Sequence, residues 1–154
     1  MINFAFSKLM KKSQYMYSKQ PLGKFLSGMG KNFLHALNTE LNYLDIKRSY
    51  YALILIAEGR GNLTQKDLAD LLESDKVSVV RIIDYLSETG YVKREKVASD
   101  KRKYRLTLTE KAENELPVIK KAMAGVIQKA LKGLSAKKID ELYDTLNTIK
   151  KNLN

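Results

Sequence analysis

The sequence predicts a mainly helical protein with one small β-hairpin, and its apolar pattern supports that prediction in two ways. Apolar residues recur every three or four positions over most of the chain, which is the spacing of one helix face. The spacing changes to two in a short segment after Gly90, as expected for β-strands. With 154 residues, 44% of them apolar, the chain can form one globular domain or one small module with helices attached.

Two helices are predicted in the first third of the chain. The first runs from Pro21 to Leu44, because proline is favoured at a helix start and the following apolar residues fall on one face. The second covers Arg48–Ala57 and is apolar on most sides. The segment Gly59–Asn62 is rich in glycine and ends this second helix.

Two shorter helices separated by a tight turn are predicted next. Thr64 and Asp67 have the spacing of a capping box, in which two side chains three residues apart bond to each other's backbone at a helix start. A turn over Glu73–Asp75 leads into a helix over Lys76–Glu88. The predicted core-facing residues of that helix are Val79, Ile82, Ile83 and Leu86.

The hairpin is predicted from two segments of alternating pattern, Tyr91–Val97 and Lys103–Leu108, joined by the polar segment Ala98–Arg102. Within residues 91–105, seven Lys or Arg residues and two acids give a net charge of +5, out of +11 for the whole chain. Residues 1–31 hold a further six lysines and no acid. Such a basic surface attracts phosphate or anionic lipid.

Two further helices are predicted after the hairpin. Thr109 is placed to cap the first, which contains Pro117, and Ser135 is placed to cap the second. In the last helix, apolar residues alternate spacings of three and four, a heptad pattern that suits a helix packed against a partner. The residues of this pattern are Ile139, Leu142, Leu146, Ile149 and Leu153.

Nothing in the sequence pattern favours an enzyme, a cofactor site or a metal site. The chain has no cysteine, and its one histidine, His35, has no second ligand with which to share a metal. No pair of carboxylates stands in an apolar setting suited to acid–base catalysis. No apolar run is long enough to cross a bilayer, and the N-terminus lacks the pattern of a signal peptide. We therefore expect a cytoplasmic protein with no catalytic activity, cofactor or stable membrane insertion.

Two helices around a tight turn, followed by a basic hairpin, are typical of a winged helix-turn-helix that binds DNA. An α-helix fits the major groove and presents the side chains of its first turns to base edges. The helix before it can lie over the phosphate backbone, and a cationic hairpin can reach the adjacent groove. A helix pair alone is a weak signal, because many helical proteins contain one, but the charged hairpin beside it makes the signal fairly strong.

Four segments match a known family in order: Leu63–Leu72, Asp75–Leu86, Gly90–Arg94 and Asp100–Lys111. The last contains Asp-x-Arg followed by Leu-Thr at the start of the next helix. With these segments, the chain from about residue 22 to 153 resembles the multiple antibiotic resistance regulator (MarR) family of bacterial transcription regulators. The resemblance implies a homodimer with one winged module in each lobe. The implied domains are 1–20, an extension of unknown role; 21–47, a dimerisation helix; 48–108, the DNA-binding domain; and 109–154, the C-terminal dimerisation helices.

The resemblance also implies which residues contact DNA. Arg102 falls where the family places an arginine in the minor groove, and Asp100 where an acid holds that arginine. Val77 and Val80 depart from the family, which often has small polar residues there; their methyl groups could contact thymine methyls but cannot form hydrogen bonds. Arg94 is as well explained by a structural role. The ten predicted DNA-binding residues are Thr64, Gln65, Lys76, Val77, Ser78, Arg81, Asp100, Lys101, Arg102 and Lys103.

The expected function is sequence-specific regulation of transcription at a pseudo-palindromic operator in double-stranded DNA, by a repressor that a small-molecule effector releases. Two alternatives stay open: an architectural nucleic-acid-binding protein without sequence preference, and a winged-helix adaptor between proteins. Residues 1–20 suit an extension of the dimer interface, a DNA-contacting arm or a membrane-surface helix. Five tyrosines suit core and dimer packing, or a pocket for an aromatic effector: Tyr15, Tyr17, Tyr43, Tyr50 and Tyr51.

Overall fold

The computed structural model describes residues 21–46, 48–97 and 100–153, with the side chains of residues 97 and 100–103 outside the described set. The chain divides into two compact units, Met1–Arg48 and Ser49–Asn154. The described part contains six α-helices and one two-stranded antiparallel sheet. The predicted fold class, mainly α with a small β-hairpin, is therefore confirmed. Residues 1–20, including Tyr15 and Tyr17, lie outside the described residues.

The first unit contains helix α1, Leu22–Glu40, which begins after Pro21 as predicted. Its predicted end at Leu44 is wrong, because the helix stops at Glu40 and turns follow as far as Ile46. In these turns the Leu44 N–H bonds to the Leu41 carbonyl oxygen at 3.0 Å. A turn closed by this three-residue bond keeps the apolar spacing of a helix, so the periodicity alone could not reveal the end.

The second unit contains the remaining elements: α2 (Tyr50–Glu58), α3 (Gln65–Leu71), α4 (Lys76–Glu88), β1 (Val92–Val97), β2 (Asp100–Leu108), α5 (Glu110–Ala130) and α6 (Ala136–Leu153). Helix α2 packs against α5 and β2, α3 packs against α4, and α4 packs against β1. The core of this unit is therefore continuous from α2 to the hairpin. Its fully buried side chains are Leu53, Ile56, Leu68, Val79, Ile83, Leu86, Tyr91, Leu106 and Ile119.

The hairpin is longer than predicted, because β2 begins at Asp100 rather than Lys103. The two strands pair in register from Val92 opposite Leu108 to Lys96 opposite Tyr104, and the register then shifts, so that Val97 pairs with Asp100. Such an irregularity interrupts the alternating pattern from which strands are predicted, which explains the missed residues.

The root of the hairpin is attached to the start of α3 by backbone pairing. Leu106 of β2 donates its N–H to the carbonyl oxygen of Leu63 at 2.8 Å, and Arg105 forms an antiparallel bridge with Thr64. Leu106 itself is fully buried. The hairpin is thus fixed to the residues that begin the helix pair.

A second attachment lies where α4 gives way to β1. Gly90 has a φ of +76°, a left-handed conformation that glycine adopts at low cost after a helix end. Its carbonyl oxygen accepts a hydrogen bond from the Thr109 hydroxyl at 2.7 Å, and the hydroxyl of the buried Tyr91 donates to Glu115 at 2.6 Å. These bonds tie the residues before β1 to the first turns of α5.

The terminal helices have large apolar side chains that the described part of the chain does not cover. Helix α6 has no buried residue, although its apolar residues fall on one face, and only Leu37 is buried in α1. Lys150 of α6 forms an ion pair with Glu73 in the turn before α4. The exposed apolar side chains of α1, α5 and α6 are Leu22, Phe25, Met29, Leu34, Val118, Ile127, Tyr143 and Leu153.

Candidate nucleic-acid interface

The start of α3 is held by the predicted capping box. The Thr64 N–H donates to Asp67 Oδ2 at 2.9 Å, and the Asp67 N–H donates to Thr64 Oγ1 at 3.2 Å. The Thr64 hydroxyl also donates to Asp67 Oδ2, at 2.7 Å. Thr64 is therefore fixed by local bonds, and it positions Gln65, the first residue of α3, at a half-buried site.

The start of α4 is held by a second cap, which the sequence analysis treated only as a turn. Asp75 Oδ1 accepts the Ser78 N–H at 2.9 Å, and Asp75 Oδ2 accepts the Ser78 hydroxyl at 2.6 Å. The Ser78 hydroxyl and backbone N–H lower the pKa of the Asp75 carboxyl below its ordinary value of 3.8. An aspartate directly before the first helical residue was the signal that could have revealed this cap.

Helix α4 presents one face to the core and one face to solvent. The core face consists of Val79, Ile83 and Leu86, all fully buried. On the opposite face, Lys76, Val77 and Arg81 are exposed, and Val77 and Arg81 are one turn apart. Ser78 and Val80 are partly buried. The first turns of α4 thus carry two free cationic side chains and one exposed apolar side chain.

An ion pair joins this exposed face of α4 to the hairpin. Arg94 of β1 contacts Asp84 of α4, with 2.5 Å between Arg94 Nη2 and Asp84 Oδ1. Arg94 stands opposite Leu106 in the register, on the same side of the hairpin as the buried Val92. The structure therefore favours a structural role for Arg94. Its partner, Asp84, was not predicted from the sequence.

The predicted residues at the far end of the hairpin belong to β2, but their side chains lie outside the described set. These residues are Asp100, Lys101, Arg102 and Lys103. Nearer the root, Lys93 and Lys96 are both exposed, and the alternation of a strand places them on opposite faces of the hairpin. Tyr104, opposite Lys96 in the register, is also exposed. The described part of the hairpin is thus cationic on both faces.

A separate cleft lies in the second unit between the end of α2, the end of β2 and the start of α5. Its volume is about 360 Å³. Apolar side chains form part of its wall, and the charged residues Arg60 and Glu113 also line it. Arg60 has a φ of +47°, an unusual backbone conformation for a residue other than glycine. The remaining lining residues are Ile56, Ala57, Gly61, Thr107, Leu108 and Leu116.

Neither a metal centre nor a membrane span is found in the described ranges. No three His, Cys, Asp or Glu residues among those described lie close enough together to hold a metal ion. None of the described helices combines the length and the apolar character needed to cross a bilayer.

Comparison with known proteins identifies the family of this arrangement. The model of the MarR family matches residues 44–103, from the turns before α2 into β2. The crystal structure of the transcriptional regulator SlyA superimposes with a TM-score of 0.79 and 30% sequence identity, over 84% of this chain and 92% of that one. The chain belongs to the MarR family.

Two further relatives of this MarR-family chain come from Listeria monocytogenes. A SlyA-like transcription regulator is 26% identical with a TM-score of 0.77, over 84% of this chain and 87% of that chain. A MarR family transcriptional regulator solved in complex with a 26mer DNA is 25% identical with a TM-score of 0.78, over 86% of this chain and 88% of that chain.

Proposed function

We propose that this protein is a DNA-binding transcriptional regulator that inserts the start of α4 into the major groove. The observation that carries the proposal is the exposed first-turn face of α4, with Lys76 and Arg81 free to contact DNA and a basic hairpin attached beside it. A helix of this kind presents its N-terminal side chains to base edges. The relative solved in complex with a 26mer DNA supports DNA binding.

In this proposal the contacts fall into three groups. Thr64 and Gln65 lie against the sugar–phosphate backbone, as expected for the helix that precedes a recognition helix. Arg102 enters the minor groove, oriented by Asp100, while Lys101 and Lys103 neutralise phosphates. The α4 group, which reads bases and phosphates of the major groove, is Lys76, Val77, Ser78 and Arg81.

We further propose that the protein acts as a homodimer joined through its terminal helices. The support is the apolar surface of α1 and α6 that residues 21–46, 48–97 and 100–153 leave uncovered. Apolar surface of this kind is usually buried in an interface between subunits. A two-fold dimer would place its two α4 helices in successive major grooves, about 34 Å or ~10 bp apart, and would therefore require a pseudo-palindromic operator.

Repression with release by an effector is the regulatory part of the proposal. The cleft beside Arg60 has a volume within the usual range of small-molecule sites, about 300–1,000 Å³, and a partly apolar wall. A small aromatic molecule with polar groups would suit this wall, because Arg60 and Glu113 offer it both a cation and a carboxylate. It would release DNA if it bound the non-DNA-binding conformation more tightly than the DNA-binding one.

Selection from a random duplex library tests the proposed function. The purified protein is mixed with the library at about 0.15 M salt, and the retained duplexes are sequenced. We expect enrichment of an inverted repeat whose half-sites are one helical turn apart. Retention without an enriched motif, lost steeply as salt rises, would instead establish charge-driven architectural binding, which the net charge of +11 also permits.

A further inference from the structure

Val77 is an apolar side chain in an unusual place. It is 60% exposed, more than any other large apolar side chain that the structure describes between residues 48 and 108. It does not contribute to the core, which α4 fills with Val79, Ile83 and Leu86. Helix propensity does not favour it either, because a β-branched side chain loses rotamer freedom in a helix. Single exposed apolar side chains are common on protein surfaces, so what distinguishes Val77 is its place in the first turn of α4, on the face proposed to meet DNA.

The neighbouring hydroxyl is already engaged. The Ser78 hydroxyl donates its proton to Asp75 Oδ2 at 2.6 Å, and the Ser78 N–H donates to Asp75 Oδ1. This proton is not free to donate to a base edge while the cap of α4 is formed. The first turn of α4 consequently offers a cation, Lys76, and two methyl groups, those of Val77.

The major groove contains one apolar group for such a side chain to meet. Thymine presents its 5-methyl group there, whereas cytosine has only a hydrogen at C5 and neither purine presents a methyl group along that edge. Contact between two methyl-bearing groups removes apolar surface of both from water, and this gain does not need a directed hydrogen bond.

We infer that Val77 reads the 5-methyl group of one thymine in each half-site of the operator, and so favours thymine over cytosine at that base. The inference rests on the proposed function, because it requires α4 to lie in the major groove. It makes Val77 a specificity-determining residue through contact alone, with Ser78 retained as part of the helix cap.

Replacement of thymine by uracil tests this inference, because it removes the 5-methyl group and keeps the base-pairing edge. Each thymine of the selected operator is replaced in turn in both half-sites, and the Kd of each duplex is measured. We expect one symmetric position at which uracil weakens the affinity of the wild-type protein by about fourfold per half-site, the factor for exposing one methyl group. Replacement in both half-sites should weaken the affinity by about fifteenfold. The Val77→Ala protein should bind the thymine and uracil duplexes nearly equally.

The controls separate this contact from other effects. Val77→Ala should keep the fold, since the side chain is exposed and alanine is the better helix former. Lys76→Ala, the neighbouring substitution, should weaken binding to thymine and uracil duplexes alike. Val77→Thr keeps the shape and one methyl group, so an intermediate uracil effect is expected.

Two results would overturn the inference. If an operator is selected and uracil has no effect at any symmetric position, or has the same effect in Val77→Ala, Val77 does not read thymine while the proposed function stands. If no operator can be selected, the proposed function is contradicted, and so is the inference that depends on it.

Discussion

The pairing of Asp75 with Ser78 is the local interaction that fixes the start of the recognition helix. Asp75 accepts both the hydroxyl and the backbone N–H of Ser78, and these bonds lower the pKa of its carboxyl. A carboxyl whose pKa is lower in the folded state stabilises the fold when ionised. That contribution is complete above the unfolded pKa, about 3.9, and is lost as pH falls through the lower folded value.

The first prediction concerns this titration. In Ser78→Ala the hydroxyl bond is lost, so the pKa of Asp75 should rise towards its ordinary value, and the acid unfolding midpoint should move to higher pH. The carboxyl carbon resonance of Asp75, followed from pH 2 to 6, measures the first effect. Ser87→Ala, near the other end of α4, is the matched control and should leave that titration unchanged. Equal Asp75 titrations in wild type and Ser78→Ala would contradict the assigned cause.

The second prediction tests whether the position of an arginine on the hairpin, rather than its charge alone, determines DNA affinity. Arg102→Ala should weaken binding to the selected operator by about 1–3 kcal/mol, or about 5- to 150-fold, because it removes the arginine proposed to enter the minor groove. Arg60→Ala removes the same charge beside the α2–β2–α5 cleft and should cost less than about threefold at 0.15 M salt. Fluorescence anisotropy with labelled duplex gives both Kd values. Similar losses in the two variants would indicate that net charge, rather than the hairpin, determines affinity.

At the scale of elements, the ion pair of Arg94 and Asp84 joins the hairpin to α4. Both side chains are partly exposed, so the pair adds little to stability, about 0–1 kcal/mol. We expect the pair to reduce the positions that the hairpin can take relative to α4, and to affect DNA binding in that way.

The third prediction concerns the negative charge of Asp84, for which electrostatics and positioning predict opposite effects on DNA binding. Asp84→Asn removes an acid from a surface proposed to face phosphates, so charge alone would strengthen DNA binding. Loss of the ion pair should instead weaken it, by several-fold, because Arg94 no longer holds the hairpin against α4. The exchange Asp84→Arg with Arg94→Asp restores the pair and should recover part of the loss. Tighter binding by Asp84→Asn, measured at the same salt concentration, would contradict the positioning role.

The elements that the sequence predicted well are those with a strong periodic pattern and a local cap. Thr64 and Asp67 marked the start of α3, and Gly90 marked the end of α4, because each signal lies within a few residues of the boundary. The end of α1 was missed because Leu41 and Leu44 keep helical spacing through a turn. Periodicity reports which side chains point inward and does not report which backbone bond closes the turn.

The candidate site was predictable only in part, for a different reason. The pattern of helix, turn, helix and basic hairpin located it, but the pairing of Arg94 with Asp84 depends on how β1 crosses α4. The periodicity of the sequence does not predict a contact between two residues that are ten positions apart and lie in different elements. The use of the Ser78 hydroxyl in a cap was missed likewise, because serine in the first turn of a recognition helix suits base contact and capping equally.

At the scale of the whole molecule, the uncovered apolar faces of α1 and α6 lead to the fourth prediction. Sedimentation equilibrium should give twice the mass of one chain at micromolar concentration. Tyr143→Glu, which places a charge on the exposed side of α6, should weaken association, whereas Lys137→Glu, on the same helix, should not. A wild-type protein that stays monomeric at concentrations where it binds its operator would contradict the proposed two-fold dimer.

A pair of chemical footprints on one selected operator tests most directly whether α4 and the hairpin read DNA. Dimethyl sulfate reports major-groove guanine N7 atoms, and hydroxyl radicals report the backbone bordering the minor groove. We predict two blocks of major-groove protection about 10 bp apart, from the two α4 helices, each flanked by minor-groove protection that disappears in Arg102→Ala. Uniform backbone protection with free major-groove guanines, unchanged in Arg102→Ala, would contradict the claim that α4 and the hairpin read DNA.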